Sequence, residues 1–265
     1  MARPGRRRAV AALHAGVHGE PADEDRVHAP GRRSPLTARR ADREPGGPQT
    51  LPLAGEGLPD AGTAGAAFSY RCGRCNRCCR DRVIQVNPYE VLRLARGLGL
   101  STGDFIDRFV DADRVALRRS AVGTCVFLGD SGCTVHADRP LVCRLYPLGR
   151  IVRGGRERWV ELPAADGSIG ERDTDGSVAE YVASQGALPF MLAADEYHGV
   201  LEEALLAGGS SFVSEPVGAG PDGSGDSAAE GARWLLDVDA LVDSGGDVER
   251  DFVAHVGALR SALVG

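Results

Sequence analysis

Seven cysteines, Cys72, Cys75, Cys78, Cys79, Cys125, Cys133 and Cys143, all fall inside a 72-residue window of a 265-residue chain. They read Cys72-Gly-Arg-Cys75-Asn-Arg-Cys78-Cys79, then Cys125-x7-Cys133, then Cys143. Two-residue spacers let consecutive thiolates turn back toward one centre, because the intervening backbone forms a tight turn whose amides point at the sulfurs. All seven are therefore candidate metal ligands, and Gly73 is expected to provide a left-handed turn conformation between the first two. A disulfide framework is the competing explanation. Three features weigh against it: the count is odd, no secretory signal is legible at the start, and vicinal Cys78 and Cys79 would close a strained ring.

Charge is distributed as unevenly as the thiols. Residues 68–150 carry 14 arginines against 8 acids, whereas residues 151–265 carry 7 against 21. Arg71, Arg74, Arg77, Arg80 and Arg82 interleave with the first cysteines, where they can offset thiolate charge and lower thiol pKa values. Five arginines in twelve residues also suit nucleic acid, but only Tyr70 accompanies them as a stacking residue, so nucleic acid is an unlikely partner. No lysine occurs anywhere, which excludes a Schiff-base or Walker A mechanism. No apolar run approaches the roughly 20 residues of a membrane span, and the chain reads as cytoplasmic with no membrane partner. A protein partner is left open.

Composition divides the chain into five parts. Residues 1–67, rich in Arg, Pro, Ala and Gly, read as a disordered arm, and residues 68–150 as a cysteine-cluster metal-binding core. Residues 151–213 read as a strand–helix extension of that core, 214–228 as a flexible linker and 229–265 as an acidic C-terminal helical segment. Within the core, Val83–Val86 is expected as a short strand. Asn87 and Pro88 supply an N-cap and first-turn proline for a helix expected to bury Val91, Leu92, Leu94, Ala95 and Leu98. Ser101 with Asp104 opens a second helix, bearing Phe105, Ile106, Phe109 and Val110. Gly154-Gly155 separates two strands of a hairpin-like pattern, and helices follow over Val178–Gln185, from Pro189, and around Val248–Leu263. His198 and His255 each read as structural histidines. The fold class is α+β: a small metal-centred cysteine-cluster domain with short strands and several helices, preceded by the arm.

The first cysteine group, the Cys125/Cys133 pair and the closing Arg139-Pro140-x2-Cys143-Arg144-x-Tyr146-Pro147 together resemble the YkgJ family of cysteine-cluster proteins, a zinc- or iron-chelating domain. The resemblance spans about residues 68–150 and includes the Asn87-Pro88 helix and the Leu98-Gly99-Leu100-Ser101 segment. It implies metal chelation and little more. Bacterial flagellin lysine N-methylases share a similar cluster, so an enzyme is also admitted, with no catalytic residue identified. No Gly-x-Gly-x-x-Gly, phosphate loop, His-Glu-x-x-His or Cys-x3-Cys-x2-Cys motif marks a nucleotide or S-adenosylmethionine site. His136 stands where relatives carry an aromatic residue; it reads as a packing residue rather than an eighth ligand.

Cys72, Cys75 and Cys78 with a remote cysteine parallel the ferredoxin arrangement, in which three close ligands hold a cluster and a distant one completes it. Cys143 is the candidate for that distant place. Zinc sites more often use two Cys-x2-Cys knuckles, and the second is missing here, so a [4Fe–4S] cluster is favoured over zinc. Arg139 is expected to pair with Asp138 or Asp130, and Tyr146 to pack and hydrogen-bond beside the site. The functional reading is a metal-binding protein holding an iron–sulfur cluster, or zinc, in a redox or accessory role. The alternatives are a cluster-containing enzyme and a structural zinc module.

Overall fold

The computed structural model describes residues 57–80, 82–111, 115–207 and 227–264, and of residues 227–230 and 232 only the backbone. Most of the arm and nearly all of the linker read from composition therefore lie outside the described residues. Asp60–Gly62, inside the stretch read as the arm, is a strand, so the chain enters the fold before Phe68. In chain order the elements are β1 (Asp60–Gly62), β2 (Ala67–Arg71), α1 (Pro88–Leu98), α2 (Thr102–Phe109), β3 (Val110–Asp111), β4 (Ala116–Leu117), β5 (Leu128–Gly129) and β6 (Gly132–Cys133). They continue with α3 (Leu141–Leu145), β7 (Leu148–Arg153), β8 (Arg156–Glu161), β9 (Glu171–Ser177), α4 (Val178–Ser184), α5 (Leu188–Leu206), α6 (Ser227–Leu236), α7 (Val238–Leu241) and α8 (Val248–Leu263). The protein is α+β, with every named strand pair antiparallel.

Helix α1 organises the molecule, and its start follows from three residues. Asn87 Oδ1 accepts from Glu90 N at 3.0 Å, Glu90 Oε2 accepts from Asn87 N at 2.9 Å, and Pro88 occupies the first turn, where no N–H is needed. At the far end Gly99 adopts φ +69° and ends the helix, its N–H bonded to Arg96 O and that of Leu100 to Ala95 O. Val91, Leu94 and Ala95 pack into one apolar cluster with Phe105, Ile106, Phe127 and Leu236. Tyr89 and Leu92 face a second cluster made with Phe190, Val200, Phe252, Val256 and Leu259 of α5 and α8. Full burial of each such side chain contributes ~1.5–3 kcal/mol.

The three-stranded sheet β1-β8-β7 lies over a third cluster centred on Trp159, Leu148, Val178 and Phe68. Its β7–β8 hairpin turns at Gly154-Gly155, both at positive φ, as the glycine pair predicts. A second sheet, β2-β9, pairs the strand before Cys72 with Glu171–Ser177, a strand whose alternation is masked in sequence by charges on its exposed face. Val83–Val86 is extended but makes only a bridge, Gln85 with Ala116.

The charge asymmetry is largely resolved by folding. Arg96 of α1 pairs with Asp239 at 2.5 Å, Arg93 with Asp138 and Glu249, Arg150 with Asp195, and Arg233 with Asp107. Arg93, Arg96 and Arg150 of the basic middle thus meet acids of the C-terminal third, and Arg233 of that third meets Asp107 of the middle. Thr102 binds that third at two points, its Oγ1 donating to Asp237 and its N–H to Asp239. His255, fully buried, has Nε2 3.0 Å from Leu235 O, the structural role its helix suggested.

Candidate metal centre

The cysteines lie on four short segments. The first is the loop after β2, where Cys72 is exposed and Cys75 partly so. Gly73 is not left-handed here; Arg74 (φ +53°) and Asn76 (φ +59°) are. Gly73 is required instead by close approach, since a Cβ there would stand 2.6 Å from Ile169 Cγ1 and 2.7 Å from its carbonyl oxygen. The backbone N–H of Arg74 turns back to Cys72 Sγ at 3.4 Å.

The second segment is a single 3-10 turn, Arg77–Cys79. The carbonyl of Cys79 accepts from Cys125 N at 2.9 Å, which ties this turn to the third segment. There Leu128 N donates to Cys125 O at 3.0 Å while Leu128 pairs with Cys133 across β5–β6. The seven-residue gap between Cys125 and Cys133 is therefore a tight hairpin that sets its two thiols side by side. Helix α3 is the fourth segment and carries Cys143. Its first N–H, from Leu141, donates to Glu90 Oε1 at 2.6 Å, so the carboxylate that caps α1 also fixes the start of α3.

Arg144, next to Cys143, is buried and donates to three carbonyls, Arg139 O at 2.9 Å, Gln185 O at 3.0 Å and Ala137 O, with its guanidinium 4.0 Å from the Phe190 ring centre. Cys125, Cys133 and Cys143 all pack against the apolar cluster of α1 and α2.

All seven cysteines are free thiols. Cys143 feels the charge of Cys78, Cys125 and Cys133, Cys125 that of Cys133 and Cys78, and Cys133 that of Cys78, which makes these four mutual neighbours drawn from all but the first segment. Cys79 stands beside them and is hydrogen-bonded to Cys78. That bond, with help from Arg82 and Arg139, holds Cys78 down to about 7, and it pushes Cys79 up. Burial, reinforced by the neighbouring thiolates, raises Cys125, Cys133 and Cys143. Collecting thiolates in this half-dry place is unfavourable unless a cation joins them. Among the described residues no three His, Cys, Asp or Glu side chains converge on a single-ion position.

The Cys75 sulfur accepts from the backbone N–H groups of Ile169 and Arg77 and from Ser168, which lower its pKa, and both it and Cys72 act on Tyr70. His136 makes no contact with sulfur; its ring faces Arg139 Nη1 at 3.3 Å. Arg139 pairs with neither Asp138 nor Asp130 but binds His136 O and Gln185 Oε1, because Asp138 is taken by Arg93. Arg71 pairs with Glu171 on the surface, whereas Arg82 lies over the Tyr146 ring and donates to Pro163 O. Tyr146 Oη accepts from Ala165 N, as a packing and hydrogen-bonding role beside the site requires.

A compact helical core carrying thiols on a knuckle, a hairpin and a short helix defines a cysteine-cluster metal-binding domain. The match to known families agrees: residues 71–163 fit the CxxCxxCC model, described as "Putative zinc- or iron-chelating domain", the same family as the YkgJ proteins. No curated protein and no solved structure matches the chain. Among the described residues no helix is long and apolar enough to cross a membrane.

Proposed function

We propose that Cys78, Cys125, Cys133 and Cys143 hold one [4Fe–4S] cluster, and that the protein serves as a redox or accessory module built around it. The observation that carries this reading is the mutual proximity of these four thiols on a shared apolar base. Four thiolates on one zinc ion, with Zn–S of ~2.3 Å, stand about 3.8 Å apart. A cube of four irons and four sulfides is larger than one ion and takes one thiolate at each iron corner. Four thiolates on a [4Fe–4S]²⁺ cluster leave a formal charge of −2, and Arg82 and Arg139, both acting on Cys78, stand ready to offset it. Bound cluster would supply one-electron chemistry; the chain's part is to hold it, keep water from its inner face through the α1–α2 apolar cluster, and tune it with Arg82, Arg139 and the Cys79 thiol.

The test is Cys133→Ser beside Cys79→Ser in protein purified without oxygen. Cys133→Ser is expected to lose most iron and sulfide while Cys79→Ser keeps both. Full retention in Cys133→Ser overturns the four-thiol assignment. Stoichiometric zinc with no iron in the wild type overturns the cluster while leaving the four thiols in place.

A further inference from the structure

The arginines of the first cysteine loop divide by their surroundings. Arg71 pairs with Glu171, while Arg82 lies over the Tyr146 ring and, with Arg139, acts on Cys78. Arg74, Arg77 and Arg80 are exposed, and among the described residues none of the three has a carboxylate partner, unlike Arg93, Arg96 and Arg150 elsewhere. Contacts place the three around the cysteine segments. Arg74 lies close enough to His136 to act on its ring. Asn76 meets the β5–β6 turn, its Oδ1 3.5 Å from where a Cβ on Gly132 would stand, and the Arg77 guanidinium lies against Gly167. Arg80 forms a backbone bridge with Thr124 and donates to its Oγ1 at 3.4 Å. The turn that Thr124 closes with Ser120 carries Val122, 78% exposed, and Val126, 40% exposed, follows it. Because Arg77-Cys78-Cys79-Arg80 is continuous, two of the three cations flank the vicinal thiols directly.

From this arrangement we infer that Arg74, Arg77 and Arg80, with Val122 and Val126 beside them, form a rim at the cysteine centre that docks a small acidic electron-carrier protein. That the partner carries electrons rests on the redox reading proposed above; that it is acidic rests on the rim alone. Three exposed cations without carboxylate partners, within seven residues of chain, attract an acidic surface across a Debye length of ~8–10 Å. The acids of this chain that meet arginines are already engaged, Asp107, Asp195, Asp239 and Glu249 among them, so the complementary charge comes from another molecule. Transient redox encounters bury under ~1,200 Å² and are steered by charge, and two exposed valines among arginines suit a small dry centre with a polar border. Nucleic acid is the other polyanion that arginines attract, but unpaired bases bind on open aromatic faces. The tyrosines nearest the loop are engaged: Tyr146 carries Arg82 on its ring and meets Tyr70 edge-on, and Tyr70 meets Tyr181 in the same way.

The experiment titrates the full chain, purified without oxygen, with oxidised flavodoxin, a small acidic electron carrier, and follows binding by calorimetry at rising salt. Flavodoxin is expected to bind at low salt and to be released as salt is added. Arg74→Glu/Arg77→Glu/Arg80→Glu should weaken binding by about tenfold or more and flatten its salt dependence, and each single change to glutamine by about two- to threefold. Arg153→Glu/Arg156→Glu, at the exposed β7–β8 turn, should leave binding unchanged. Metal content is measured on every variant, and the glutamine variants carry the test if the triple reversal disturbs it. No binding, or equal binding by the triple and glutamine variants, overturns the docking rim. Tighter binding of a single-stranded oligonucleotide through the same arginines overturns the acidic-protein partner in favour of nucleic acid. Arginine-dependent binding by a chain found to hold zinc overturns the redox reading, and the electron-carrier class with it, while the rim for an acidic protein stands.

Discussion

Replacing Glu90 with alanine removes one buried carboxyl that answers two backbone donors on different elements. Its Oε2 accepts from Asn87 N at 2.9 Å, completing the cap of α1, and its Oε1 accepts from Leu141 N at 2.6 Å, fixing the start of α3. With Glu90 only 3% exposed, neither N–H gains easy access to water when the acceptor goes, and each orphaned donor costs ~1–3 kcal/mol. Burial also pushes the carboxyl up to about 7, so removing it relieves some unfavourable charge. The expected net loss is about 2–3 kcal/mol at neutral pH, and Glu90→Gln, which keeps one acceptor oxygen, should lose about half of that. Urea unfolding of the full chain reads both values. A loss below about 0.5 kcal/mol in Glu90→Ala would refute the argument that this one side chain joins the two helices. The pH dependence has a fixed sign. The folded protein holds this proton more tightly than the unfolded chain, so wild-type stability falls as pH rises from about 4.5 to about 7, and Glu90→Gln lacks that slope. Because α3 carries Cys143, Glu90→Ala should also release metal faster to a chelator.

Gly73→Ala should destabilise by ~1–3 kcal/mol, since its Cβ would meet the Ile169 carbonyl at 2.7 Å and push the 168–170 loop off the cysteine loop; a urea midpoint equal to wild type contradicts this. Arg144→Met leaves three carbonyls without their donor and should cost ~3–5 kcal/mol together with loss of bound metal, both checked on one preparation by urea unfolding and metal analysis. Asp251 accepts from Ser244, Gly245 N and Gly246 N, and the Ser244 hydroxyl foremost holds its carboxyl down to about 2. Its stabilising effect is complete above the unfolded value near 4 and fades as pH falls toward 2, so the gap between wild type and Asp251→Asn should narrow over that range in thermal melts.

Local chemistry made much of this legible. The Asn87-Pro88-x-Glu90 start of α1, the Ser101 cap of α2 and the Gly154-Gly155 hairpin each rest on interactions within a few residues, and all three stand in the structure. Strands β2 and β9 were hidden because their pairing spans about a hundred residues and the exposed face of β9 is all charge and polarity. The thiols show the same division. Their spacing marked the site, yet what ties the second segment to the third is the Cys79–Cys125 backbone bond and the Cys125–Cys133 hairpin, which are long-range facts. Glu90 was readable as a cap; its second task, at Leu141, needed the fold.

The most direct test of the central claim is iron and acid-labile sulfide content, with an ultraviolet–visible spectrum, on the full chain purified without oxygen. The account predicts a brown protein with four irons and four sulfides per chain and broad thiolate-to-iron absorption near 400 nm, bleached on reduction. A colourless protein with neither iron nor sulfide after anaerobic reconstitution would contradict it.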